Sequence, residues 1–439
     1  MIKSHLKQAW ELLRQNPLFT TLYITGTGLA IAMTMIMAVI YYVKIAPVYP
    51  ETNRMGTHYL TGVRFKKGTE GNKQTIQWAV SYKALQEWFY PLKNAEVVSA
   101  SLKDDMASNS FVQPADRSGD FPVVVRLTDP GFFRIYSFRF LEGQAFTQSD
   151  LASGIRTAVI TDGLARRLFG SAEGVVGRSF SLNYTDYRVC GVVRDASYLT
   201  PGSYSQVYLP YTVSDGYEKG KYGIPYLGAF SLTFLTKDDA QAKALHAEIE
   251  ELVRKENLIH KDEWQLTIWE QPTSHLLSAF QSAASQEFDT WATVRYLLLV
   301  LLVLLLVPAL NLSGMIASRM ENRLVEMGVR KSFGAGRGRL LSQVMWENLL
   351  LTVLGGALGL VVAWLVLYVC REWVFTVLDA WPAAVPEGTE VRVSGEMLFA
   401  PAVFLAALLL CVALNLLSAL IPAWHSLRKP IVYSLNEKR

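Results

Sequence analysis

Four stretches of this 439-residue chain, roughly 18–43, 296–316, 349–369 and 398–420, are almost wholly apolar. Each is long enough to cross a bilayer, which takes about 20 residues of helix. Within hydrocarbon every backbone amide must be satisfied inside the chain, so only helices or closed barrels can span. Runs this long and without alternation predict helices. The first is too long for the core of a cleaved leader, and no small-x-small site follows it around Lys44–Pro47, so it is expected to stay as an anchor.

Charge orients these crossings. With Met1 inside, the inner flanks carry Lys3, Lys7 and Arg14, then Arg319, Arg323, Arg330, Lys331, Arg337 and Arg339, then Arg428, Lys429, Lys438 and Arg439. The short outer loop 371–396 holds Glu372, Asp379, Glu387, Glu390 and Glu396 against Arg371 and Arg392. A Lys/Arg bias of this kind fixes topology: both termini are expected in the cytoplasm, and 44–293 outside. The net charge of +4 is accounted for by these flanks, so no nucleic-acid partner is expected. Cys370 and Cys411 fall in spans and Cys190 stands alone outside. The outer segment must therefore be held by a packed core, for which it has ample length.

The expected division is a cytoplasmic amphipathic helix (1–17), a first span (18–43), an α+β outer domain (44–293), a second span (294–317), an inner loop (318–340), a third span (341–370), an outer loop (371–396), a fourth span (397–421) and a cytoplasmic tail (422–439). In the opening helix Ile2, Leu6, Ala9, Trp10 and Leu13 share one face, a pattern that lies flat on the inner interface. In the outer domain, β-branched and aromatic runs predict strands at 123–127, 157–161, 187–193, 206–209, 230–235 and 265–269. Helices are expected at 82–90, 163–169 and 238–256, the last capped by Asp238. Before the second span, Leu277, Phe280, Ala284, Phe288 and Trp291 keep helical spacing with no Gly or Pro between them. This predicts a stiff stalk over 274–293 running into the membrane.

No catalytic constellation is visible. His5, His58, His246, His260, His275 and His425 are scattered without metal-ligand spacing, and no nucleotide-binding glycine loop ends in Lys-Ser or Lys-Thr. The informative segment is the inner loop. On a helix Arg319, Arg323, Glu326 and Arg330 form one face, with Glu326 within pairing distance of both Arg323 and Arg330. Met320, Leu324 and Met327 form the other, and Gly334 is a natural stop. By spacing alone these arginines either receive a partner or only enforce topology at anionic lipid. In the third span Gly355, Gly359 and Ala363 recur every fourth residue, which suits close helix packing within the chain or against a second copy. Asn415 in the fourth span needs an interhelical partner.

The stretch Glu326-Met327-Gly328-Val329-Arg330-Lys331-Ser332-Phe333-Gly334-Ala335 resembles the E-I-G-I-R-[RK]-A-x-G-A signature of FtsX-like, MacB-type ABC transporter permeases. The outer segment is similar to the same family in order: 158–161, then Leu164-Ala165-Arg166-Arg167-Leu168-Phe169-Gly170, Val176-Gly177, 189–195 and 207–210. The tail Pro422-Ala423 with Pro430 and Leu435 matches as well. Val325 stands where an arginine usually precedes the glutamate, and Ser332-Phe333 replaces a small residue followed by Leu.

The resemblance implies a membrane α-helical protein with four transmembrane helices and a large α+β extracytoplasmic domain inserted between helices 1 and 2, in a bacterial inner membrane. It also implies that the chain is no enzyme and holds no cofactor, ATP and Mg being bound by a partner ATPase. The coupling contact to that ATPase would use Arg323, Glu326, Gly328, Arg330, Lys331 and Gly334, with Gly355, Gly359 and Ala363 in helix packing. Expected partners are the ATPase, a second permease copy, and a periplasmic adaptor with an outer-membrane channel. The client would be an antibiotic, peptide or lipoprotein. The rival reading is a signalling scaffold that activates a cell-wall hydrolase, as in the cell-division branch; a receptor without an ATPase is more distant.

Overall fold

The computed structural model describes residues 17–67, 74–102, 110–114, 119–261, 263–280, 291–292, 294–296, 298–300, 303, 329–370, 373–374 and 401–428. The chain divides into two compact units, one from Met1–Val43, Val294–Trp381 and Ser394–Arg439, the other from Lys44–Thr293 and Pro382–Val393.

In the first unit, three helices among the described residues are long and apolar enough to cross a membrane. The first, Pro17–Ile45, has 29 residues and spans about 43 Å at 1.5 Å per residue. The next, Arg337–Val369, begins at Arg337 rather than at 341, because Gly336 supplies the extended residue before the first turn and Leu340 is already buried. The last, Pro401–Arg428, continues past the expected end at 421. Of the crossing expected at 294–317, only 294–296, 298–300 and 303 are described, all helical. The opening amphipathic helix lies outside the described residues.

Among the described residues, the second unit is built on a mixed sheet of twelve strands. Its middle runs Thr57–Leu60, Phe230–Leu235, Val97–Leu102, Val125–Thr128, Val207–Pro210, Thr157–Thr161 and Thr185–Val193. Neighbours are antiparallel except Val125–Thr128 beside Val207–Pro210 and Thr157–Thr161 beside Thr185–Val193. Parallel pairs need crossovers that cover both faces, and Val207–Pro210 is accordingly buried at every residue. Val207 and Leu209 enter the main core with Ile160, while Tyr208 enters a second cluster with Phe132, Phe146 and Val193. Towards the edge, Phe230–Leu235 alternates instead: Phe230, Leu232 and Phe234 are buried and the residues between are half-exposed. A smaller sheet joins Gln265–Thr267, Val63–Lys67 and Gln74–Trp78.

Strand expectations at 157–161 and 230–235 coincide with the observed strands. The run at 123–127 is two strands, Phe121–Val123 and Val125–Thr128, with different neighbours. The break falls at Val124, whose N–H donates to Gln206 Oε1 at 3.1 Å and whose carbonyl accepts from Gln206 N at 2.9 Å, so the ladder cannot pass through it. The helix Asp239–Ile259 starts as expected: Asp238 accepts from Gln241 N at 2.8 Å. The helix Asp162–Phe169 is seated by Asp195, whose N–H donates to Asp162 Oδ1 at 2.9 Å, while Arg166 pairs with Asp162 Oδ2 at 2.6 Å.

The expected stalk needs correction at its start. Thr273–Ser274 is a strand paired with Thr57–Leu60, and the helix described there runs only His275–Ser278. Ser274 is drawn into the sheet by its register with His58. Residues 281–290, the body of the stalk, lie outside the described residues.

Candidate functional site

The N-terminal root of Arg337–Val369, expected on the inner side, is where the sequence expectation and the described structure overlap. Arg323, Glu326 and Gly328 lie outside the described residues; Arg330, Lys331 and Gly334 are within them. Residues 329–332 form a helical turn. Gly334 then takes φ +86°, a region that side chains with a Cβ rarely adopt. Its N–H donates to Lys331 O at 3.0 Å and Ala335 N donates to Arg330 O at 3.0 Å, the crossed pair of bonds that defines a Schellman stop. The chain leaves through Gly336 directly into Arg337–Val369.

That reversal sets two faces. Val329 and Phe333, four residues apart, are 41% and 87% exposed. Arg330 turns to its own chain: Nη1 donates to Gln343 Oε1 at 2.7 Å, and Gln343 Nε2 donates to Glu347 Oε1 at 3.2 Å. Glu347 is buried. Partial burial, then the Arg337 guanidinium, holds the Lys331 ammonium below its ordinary pKa range.

Farther along the same helix the small residues meet the first helix of this chain. A Cβ on Gly359 would lie 2.6 Å from Gly28 O, and one on Gly355 would lie 3.0 Å from the Thr27 side chain. Ala363 is fully buried. The two glycines therefore pack within the chain, Gly359 against the Gly28 carbonyl and Gly355 against Thr27, as small-residue motifs permit. Asn415 finds its partner on this helix too, donating to Thr352 Oγ1 at 3.4 Å.

The outer unit has a polar centre that the sequence did not single out. Glu51 and Arg54 form an ion pair at 2.8 Å with both side chains about 1% exposed. Arg54 Nη1 donates to Ala46 O at 2.8 Å, and Glu51 Oε1 accepts from Ser203 N and Oγ at 2.9 and 3.0 Å. Beside them His275 Nε2 donates to Lys44 O at 2.9 Å, which leaves Nδ1 to accept from Tyr59 OH at 2.9 Å. Burial, then the nearby Arg54, holds His275 below the usual histidine range. An i, i+3 Glu/Arg pair just after an apolar run looks like any solvated ion pair; only the tertiary fold buries it.

Two family models match in the order of these units: the MacB-like periplasmic core domain over residues 20–252 and the FtsX-like permease C-terminal region over residues 298–431. The chain belongs to the MacB/FtsX-type family of ABC transporter permeases. It is 24% identical over 269 residues to an ABC transporter permease, YknZ, of Bacillus subtilis, covering 61% of this chain and 62% of that protein. It is 24% identical over 430 residues to the macrolide export ATP-binding/permease protein MacB of Shigella boydii, covering 96% of this chain and 59% of that one. The chain thus spans about three fifths of the length of these relatives. Among solved structures, the periplasmic region of MacB from Actinobacillus actinomycetemcomitans aligns with a TM-score of 0.33 and 16% identity, over 49% of this chain and 90% of that one.

Proposed function

We propose that this chain is the permease subunit of an ABC transporter in the bacterial inner membrane, with both termini inside. In this reading it converts closure of a separate ATPase into movement of its outer domain. The single observation that supports it best is the order of the matches: a MacB-like outer core followed by an FtsX-like membrane region, in one chain. The inner root supplies a place to receive force. The described turn ends in a Schellman stop, and the chain enters a helix long enough to cross the bilayer two residues after Gly334 and Ala335 close it.

ATP and Mg would sit on the partner; this chain's own residues would grip, orient and transmit. Two permease copies and two ATPases would form the working unit, with an adaptor and outer-membrane channel where export crosses a second membrane. The client would be an antibiotic, peptide or lipoprotein met on the outer side. Lys331→Glu, which reverses charge on the loop, is expected to lower recovery of the ATPase on affinity purification of the tagged permease. Recovery at the wild-type level would remove this residue from the coupling surface, and absence of any ATPase from the wild-type preparation would remove the transporter reading.

A further inference from the structure

We propose that Arg330 is a positioning residue: its guanidinium fixes the inner loop to the third span through Gln343 and Glu347, and does not form the contact to the ATPase. The inference rests on the coupling role proposed above and assigns its parts differently from the sequence signature.

Gln343 stands between a cation and a carboxylate, with its carbonyl on Arg330 at 2.7 Å and its amide nitrogen on Glu347 at 3.2 Å. The amide dipole is therefore aligned head to tail with the charges. Turned over, it would set N–H against guanidinium and carbonyl against carboxylate, so the two ends hold each other. Gln343 and Glu347 are four residues apart and share a face of Arg337–Val369. Glu347 is 3% exposed. A carboxylate so placed is costly without hydrogen-bonded compensation, and the relay brings a guanidinium's charge towards it. Arg330 sits 13 residues before Gln343, and the left-handed Gly334 folds that interval back on itself. The same fold turns Phe333 and Val329 outward, leaving an apolar face for a partner.

The test uses the full permease with its ATPase in lipid nanodiscs, reading ATPase recovery and permease-stimulated turnover separately. Gln343→Leu leaves Arg330 in place and removes its acceptor. It is expected to cut stimulated turnover about tenfold, as a lost bond to a charged group would, with recovery within about twofold of wild type. Arg330→Ala should match it, and the double variant should be no worse than either single, since both break one link. Arg330→Lys should restore part of the turnover.

If Gln343→Leu is silent while Arg330→Ala loses the ATPase, Arg330 touches the partner and the inference is overturned. If the wild-type chain recruits no ATPase, the proposed function falls and takes this inference with it; a normal wild-type complex with a silent Gln343→Leu sinks the inference alone.

Discussion

The outer domain and the membrane unit each bury a carboxylate with an arginine in reach, and they connect them in opposite ways. Outside, Glu51 and Arg54 touch directly, with further bonds to the Ala46 carbonyl and to the Ser203 N–H and hydroxyl. Inside, an amide separates Arg330 from Glu347. A direct pair in a dry core is unforgiving, since either partner alone becomes an uncompensated charge. A relay through a neutral side chain spreads the charge over a longer path and tolerates adjustment. The first arrangement suits a part that holds its shape; the second is what the proposed coupling joint would need.

The sharpest challenge to that contrast is Arg54→Met. It strands Glu51 in the core and is expected to destabilise the outer domain by about 3–5 kcal/mol, measured by urea unfolding of the full chain in detergent. A loss under about 1 kcal/mol would mean that water reaches the pair. Next comes Gly359→Leu, which must push the first and third helices apart and should cost about 1–3 kcal/mol as overpacking, read from thermal unfolding in the same detergent. An unchanged melting temperature would place the seam elsewhere.

Acidification tests the outer unit alone. Burial, then His246, holds His58 below the ordinary histidine range; burial does the same for His246, and burial followed by Arg54 does so for His275. The folded state keeps these rings neutral, while the unfolded chain takes up protons near pH 6.5. Stability should therefore be complete above that pH and decline as the pH falls from about 6.5 towards 5, before most carboxylates titrate. A flat profile would show that the rings charge freely in the folded protein. The smallest effect is expected at Asp238→Ala, which removes the cap on Gln241 N from Asp239–Ile259 and should cost about 1 kcal/mol. Helix content and melting temperature would report it, and no change would mean that the first turn is held by packing.

What the sequence made legible follows from the range of the interactions involved. The strand Phe230–Leu235 carries its own alternation, Asp238 lies three residues from the amide it caps, and Gly334 closes a turn over six residues. Such local rules can be read without a fold. Strands such as Thr57–Leu60 and Ser179–Leu182 were missed because four residues are too few to carry a pattern of their own, and they are fixed by distant partners, Leu60 opposite Leu232 and Leu182 opposite Val112. The hub at Glu51, Arg54 and His275 was invisible for the same reason: its bonds to Ser203 and Lys44 close loops of 152 and 231 residues. At the inner root the signature drew attention to Arg330, but spacing on one helix could not reveal that its acceptor stands on the next.

The glycine seam has a mechanical corollary. Where Gly28 meets Gly355 and Gly359 the backbones come close enough that added Cβ atoms would strike the opposing carbonyls, with the Thr27, Ile31 and Leu358 side chains packed beside them. Such a contact leaves little room for sideways slip, because a shift of either helix drives carbonyl oxygens against the opposing backbone.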